Sequence, residues 1–172
     1  MKFVVLTIGL IVSVSVFAGN KHKHSHREHG AHSHGSGTLA IAFDNVKGKV
    51  DLKIASESIF GFEHVAKNAK DKKIVGEALV KLESKITEML VFDSSLKCMI
   101  SKDKIEVVQE GKHSDIVASY NVVCEKSPVG TELTFNFQMQ FPKIKDLDVQ
   151  VIADNVQKSV EASKNYTKLL LK

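Results

Sequence analysis

The sequence predicts an α+β protein: a single domain with a mainly antiparallel β-sheet, one long helix and one disulfide, preceded by a flexible histidine-rich arm. Short runs after residue 38 alternate apolar and polar residues, as half-buried strands do. Only one longer segment carries apolar residues at helical spacing. The 172-residue chain has two cysteines and enough length for one domain with its own core.

The first residues have the layout of a secretory signal peptide. Lys2 precedes an apolar run over residues 3–17, and small residues follow from Ala18. We place cleavage after Ala18, which makes residues 1–18 the signal peptide. An uncleaved membrane anchor is the alternative, but the run is short of the about 20 residues that span a bilayer. We therefore expect a periplasmic protein that is not embedded in the membrane after cleavage.

Residues 19–37 are predicted to form a histidine-rich arm. Neutral imidazole is a strong ligand for zinc, copper and nickel. A purification tag or a merely polar linker are the alternatives, but a tag is usually an uninterrupted run. Histidine-rich tracts are typical of metal binding, so we expect ions to bind here. The arm holds six of the eight histidines, namely His22, His24, His26, His29, His32 and His34.

The domain over residues 38–172 is expected to begin with a β-hairpin. Larger apolar residues at Leu39, Ile41 and Phe43 alternate with smaller ones over the first strand, residues 38–43. A turn at residues 44–48 leads into a second alternating run over residues 50–54. Residues 56–67, which contain His64, are predicted to form a loop with apolar anchors.

One long helix is predicted after this loop, with Asn68 or Asp71 as its N-cap. Its charged residues share the other face and need no role beyond solubility. The apolar residues at spacings of three and four are Ile74, Val75, Ala78, Leu79, Leu82, Ile86 and Met89.

Short strands are predicted along the rest of the chain. No internal repeat or second linker interrupts them, which favours one domain. A stripe of Leu and aromatic residues over residues 132–141 has strand spacing, and Met139 belongs to it, so it is expected to face the core. The predicted strands cover residues 96–100, 104–109, 116–124, 132–141, 147–152 and 169–171.

The two cysteines, Cys98 and Cys124, are predicted to lie on strands. An even number of cysteines in an exported chain favours a disulfide. A thiolate metal pair with histidine is the alternative, but exported thiols oxidise and no CxxC spacing is present. Closing a loop of about 26 residues should stabilise the fold by roughly 3–4 kcal/mol.

Charge and motifs exclude two other classes of function. The net charge of +4 comes from lysines mixed with acids, and Arg27 is the only arginine, so we expect no nucleic-acid partner. A zinc hydrolase needs ligands on rigid elements, an open coordination position and a general base. No HExxH or GxSxG motif is present, and ligands on a mobile arm suit capture and release. We therefore expect a protein that is not an enzyme.

Several blocks resemble the periplasmic zinc-uptake accessory proteins of the ZrgA type. They are HREHGAHSHGSGTLAIAF, SESIFGFEH, the pair Cys98 and Cys124 with HSDIVASYNVVC, and FPKIKDLDVQVI. The resemblance covers almost the whole mature chain and implies an exported, zinc-binding protein that supports a zinc importer or its solute-binding protein. Relatives often have a long His/Asp-rich insertion between the cysteines, whereas this chain has only His113 there. Little zinc capacity is expected from that region.

The resemblance also implies zinc ligands in the arm and in the loop. Zinc takes about four ligands, and residues two apart on an extended segment face the same side. We expect one of the proximal histidines to join His64 at an ordered ion, while the distal histidines hold weaker ions. The proximal histidines are His29, His32 and His34, and the distal histidines are His22, His24 and His26.

Secondary candidates at this site are Glu28, Glu63 and His113. The carboxylates could bind the ion or accept a hydrogen bond that orients an imidazole. Zinc itself rests on the resemblance, because Cu²⁺ and Ni²⁺ also bind imidazole and Cu²⁺ ranks above Zn²⁺ at a nitrogen site. The alternative function is a cell-envelope structural or interaction domain that binds such ions adventitiously.

Overall fold

Strands provide most of the framework of the chain. A computed structural model describes residues 35–172. In chain order its strands are β1 (Ser36–Asp44), β2 (Lys47–Ala55), β3 (Leu90–Val91), β4 (Met99–Glu110), β5 (His113–Val123), β6 (Glu132–Phe135), β7 (Asp146–Ala153), β8 (Val156–Glu161) and β9 (Thr167–Leu170). The helices are α1 (Ser56–Phe60), α2 (Ala69–Ser84), α3 (Ile86–Met89) and α4 (Phe137–Gln140). A 3₁₀ turn occupies Ser94–Leu96.

The strands form two sheets. The larger sheet has six strands in the order β4-β5-β2-β1-β7-β8, and the smaller has three in the order β3-β6-β9. Only β1 and β7 run parallel among the described strand pairs. Parallel strands need a long connection, and this one carries β2 to β6 and the four described helices. The predicted class, α+β with a mainly antiparallel sheet, is confirmed.

The core lies on one face of the larger sheet. Alternate residues of its strands, such as Leu39, Leu52 and Tyr120, are buried, and the helices and the small sheet cover them. The Tyr120 hydroxyl donates to the Leu82 carbonyl of α2 at 3.3 Å. Burial of this ring, with a further contribution from the Glu83 charge, raises the pKa of Tyr120. The first hairpin and the last edge strand agree with the sequence prediction.

The structure shows which of the two predicted residues is the N-cap of α2. The Asn68 side chain accepts from the Asp71 backbone N–H at 2.8 Å, so Asn68 is the cap. The helix ends earlier than predicted, because Lys85 departs from helical geometry. Ile86 and Met89 therefore belong to the separate α3, although both are buried as expected.

The strand predicted over residues 132–141 is wrong in its second half. The strand β6 ends at Phe135, and α4 follows. Asn136 interrupts the strand: its side chain donates to the Glu88 carbonyl at 3.3 Å and accepts from the Tyr166 N–H at 2.8 Å. As a result Met139 is 53% exposed rather than in the core.

Four smaller differences concern element boundaries. The two strands predicted at 96–100 and 104–109 are one strand, β4, with an irregularity between Lys102 and Lys104. Cys98 precedes this strand, and Cys124 follows the end of β5, so neither cysteine lies on a strand. The predicted loop at 56–67 begins with the helix α1. Strand β8 was not predicted, because none of its residues is fully buried and the alternation in its sequence is weak.

The predicted disulfide is confirmed. Cys98 and Cys124 are bonded, with 26 residues of sequence separation. They close the open end of the hairpin formed by β4 and β5, where Met99 pairs with Val123. At the other end of the hairpin, His113 begins β5 directly after the turn.

Candidate metal centre

One end of the six-stranded sheet collects residues that the sequence singled out. At this end β1 begins opposite the end of β2, where Gly37 pairs with Ile54. Strand β5 begins beside the same end of β2, where Ala55 pairs with Asp115. Gly35, the loop after α1 and the turn before His113 therefore share this end of the sheet.

The loop between α1 and α2 is fixed to the hairpin of β4 and β5. Gly61 ends α1 in a left-handed conformation, with φ of 96°. The backbone carbonyl of Glu63 accepts from Ser114 Oγ at 2.9 Å and from Gln109 Nε2 at 3.3 Å. Gln109 Nε2 also donates to the His113 carbonyl at 2.8 Å. These bonds hold the loop against the start of β5.

The first imidazole–carboxylate pair joins this loop to β5. Nδ1 of His113 lies 2.6 Å from Oε2 of Glu63. The Glu63 side chain is 11% exposed and the His113 side chain 56%. Because a carboxylate only accepts, the neutral His113 ring carries its hydrogen on Nδ1 and its lone pair on Nε2.

The second pair joins the loop to the first turn of α2. Nε2 of His64 lies 3.0 Å from Oδ2 of Asp71. The His64 ring stacks on Phe62, with centroids 4.4 Å apart and an interplanar angle of 19°. Its side chain is 62% exposed, whereas that of Asp71 is only 16% exposed.

An open cavity of about 530 Å³ lies beside His64. Its walls come from the loop and from the turn of the hairpin. Two of the lining residues, Lys67 and Lys112, give its rim a positive charge.

The structure brings together only part of the predicted site. Glu63, His64 and His113 share one end of the sheet, in two separate imidazole–carboxylate pairs. Within residues 35–172, no three His, Cys, Asp or Glu side chains converge closely enough to hold a metal ion. The six arm histidines and Glu28 lie outside the described residues.

Sequence reasoning missed three residues of this site. The sequence identified Asp71 only as a possible N-cap. Its position seven residues after His64 was the only signal that the two side chains are close. Gln109 and Ser114 contact Glu63 across 46 and 51 residues of sequence. No local pattern marks such contacts, because they depend on how the loop lies against the hairpin.

A family model for ZrgA family zinc uptake proteins matches residues 31–171. The chain belongs to the ZrgA family. The match includes His32, His34, His64 and His113, and both cysteines. Among proteins with curated descriptions, none matches the chain with significance.

Membership of the ZrgA family associates the chain with zinc uptake. The disulfide fits an exported protein, because thiols stay reduced in the cytosol. No helix within residues 35–172 is long and apolar enough to cross a membrane.

Proposed function

We propose that this ZrgA-family protein is exported to the periplasm, where it captures or buffers zinc and supports zinc import across the inner membrane. Three features support the proposal: the family match, the histidine-rich arm and the leader-like first residues. The observation that carries it is the position of Gly35. The arm joins the domain at the end of the sheet that holds His64 and His113.

Distances make a shared site feasible. Strand β5 is the second neighbour of β1 in the sheet, so their axes are about 10 Å apart at the usual strand spacing. An extended chain covers roughly 3.3–3.6 Å per residue. His34 adjoins Gly35, and His32 lies three residues from it, so His32 reaches about 10 Å. Either side chain can therefore approach the loop or the start of β5.

The ordered zinc ion would be held by His64 and by proximal histidines of the arm. Zinc requires about four ligands, and the described residues supply these imidazoles only in pairs with a carboxylate. His29, His32 and His34 are the candidates for completing the set. The distal histidines would hold further ions more weakly, and the secondary candidate Glu28 lies among the arm residues.

His64→Ala is expected to abolish the tightest zinc-binding step in calorimetry while leaving weaker binding by the arm. The reason is that His64, which contacts Asp71 and stacks on Phe62, would supply a fixed imidazole around which the ion is organised. His113→Ala is the matched control, because His113 is similarly exposed and carboxylate-paired at the same end. Unchanged tight binding in His64→Ala would contradict the proposed ligand set, whatever the effect of His113→Ala.

Zinc release is expected between about pH 6.5 and 5, because protons compete for imidazoles whose reference pKa is near 6.5. Lowering the pH charges the rings and removes the lone pairs that bind the ion. Equilibrium dialysis at pH 7.5 and pH 5 measures the effect, with ionic strength held constant. Full occupancy at pH 5 would contradict a site made mainly of histidines.

The remaining parts of the proposal concern the metal and its recipient. Zinc rather than Cu²⁺ or Ni²⁺ is proposed from the family, and competition titration of the untagged protein tests it. The recipient would be a zinc importer or its solute-binding protein. We propose no catalytic role and no nucleic-acid partner, because no HExxH or GxSxG motif is present and the lysines are mixed with acids.

A further inference from the structure

Asp71 occupies a position from which it can decide how His64 binds an ion. It is the third residue of α2, and its carboxylate oxygen Oδ2 lies 3.0 Å from Nε2 of His64. The same oxygen accepts from Asn68 Nδ2 at 2.8 Å. Asp71 in turn donates its backbone N–H to Asn68 Oδ1 at 2.8 Å. The Asp71 carboxylate therefore contacts both His64 and Asn68 in the first turn of the helix.

The chemistry of this contact determines the tautomer of His64. A carboxylate accepts hydrogen bonds but cannot donate them, so the ring nitrogen that faces it must carry the hydrogen. The carboxylate is also favoured at the positive end of the α2 dipole, which keeps it available as an acceptor. In the neutral ring the hydrogen is thus on Nε2, and the lone pair is on Nδ1.

The Nδ1 side of the His64 ring is the side through which an ion would bind. Stacking on Phe62 restricts rotation of the imidazole, and most of the His64 side chain is exposed. Within residues 35–172, Nδ1 of His64 has no hydrogen-bond partner that would compete with an ion. The ring also lines the cavity that carries Lys67 and Lys112.

We propose that Asp71 is a positioning residue for zinc: it holds His64 as the Nε2–H tautomer, so that the ion binds through Nδ1. The inference rests on the proposed zinc site at His64. A metal on Nδ1 draws electron density from the ring and strengthens the Nε2–H bond to Asp71, as carboxylates behind metal-bound histidines do. At His113 the arrangement is reversed, because Glu63 faces Nδ1.

The same contact links zinc binding to α2. Leu82 is the only fully buried residue of this helix, so its first turn depends on the hydrogen bonds around Asn68 and Asp71. An ion that strengthens the bond between His64 and Asp71 stabilises that turn as well. Zinc should therefore slow amide exchange at Asp71 and Lys72, whose N–H groups donate to Asn68.

The test is ¹H–¹⁵N spectroscopy of the histidine rings during titration of the untagged protein with Zn²⁺ alone. In the wild type we expect His64 to start as the Nε2–H tautomer and zinc to shift its Nδ1 resonance. Asp71→Asn is expected to weaken zinc binding by about 10- to 100-fold, the usual effect of losing a carboxylate behind a ligand. It should also remove the slowing of amide exchange, and backbone spectra confirm that the variant is folded.

Asn68→Ala is the comparison variant, because it removes the cap and the Nδ2 donor to Asp71 but keeps the carboxylate that accepts from His64. We expect it to speed exchange in α2 while zinc still binds Nδ1 with nearly wild-type affinity. Binding through Nε2 in the wild type would overturn the proposal, as would an effect of Asn68→Ala equal to that of Asp71→Asn. Zinc binding without any change at His64 would overturn the proposed location, whereas no zinc binding at all would overturn the proposed function itself.

Discussion

Replacing the six arm histidines by serine is expected to remove most of the zinc bound per chain. The described domain brings no three ligating side chains together, and a stable zinc site needs about four ligands. Without the arm, His64 and His113 offer one imidazole each, and each imidazole is already hydrogen-bonded to a carboxylate. Metal analysis after dialysis against buffered Zn²⁺ measures the number of ions retained.

Two partial variants test the proximal and the distal histidines separately for their share of the bound zinc. Replacing the proximal histidines, His29, His32 and His34, should remove the tightest step and leave weak binding, whereas replacing the distal histidines, His22, His24 and His26, should do the reverse. Serine substitution of Lys21 and Lys23 is the control variant, because it changes neighbouring arm residues that are not candidate zinc ligands. Retention of the wild-type zinc content by the variant without arm histidines would show that the arm is not the main carrier.

A growth test separates the proposed function from adventitious binding. Cells that lack this protein should grow poorly under zinc chelation, and the variant without arm histidines should not restore growth. Normal growth of the deletion strain under chelation would favour a cell-envelope structural or interaction domain. Added zinc, but not added nickel, should relieve the defect.

Removing the disulfide by Cys98→Ala together with Cys124→Ala is expected to lower the free energy of unfolding by roughly 3–4 kcal/mol, from loop closure over 26 residues. Urea unfolding followed by circular dichroism measures it. Chemical reduction of the wild type should give a similar loss, which separates the missing bond from any cavity left by the alanines.

The same double variant should bind zinc normally when it is folded. The disulfide closes one end of the hairpin of β4 and β5, and His113 begins the strand at the other end. The 11 residues of β5 place these ends about 33 Å apart at the usual rise per residue. A loss of tight zinc binding in the folded variant would mean that the cysteines act at the metal site, which the distance argues against.

Much of the framework was predictable, because its signals are local. Alternation at Leu39, Ile41 and Phe43 and again over β2 identified the first hairpin, since one face of each strand is buried. The pattern was misleading over residues 132–141, where Asn136 is captured by side-chain hydrogen bonds and ends the strand. Strand β8 carried too weak an alternation to be recognised, because its residues are only half-buried.

The sequence by itself determined the fold class and the disulfide, because both depend on composition or on spacing along the chain. Only the tertiary structure decided which carboxylate faces which imidazole. Glu63 contacts His113 across 50 residues, through the register of β4 with β5 and the bonds that fix the loop. Asp71 faces His64 from the first turn of α2, because Asn68 rather than Asp71 is the N-cap. Such contacts depend on how separate elements pack, and no local pattern encodes that.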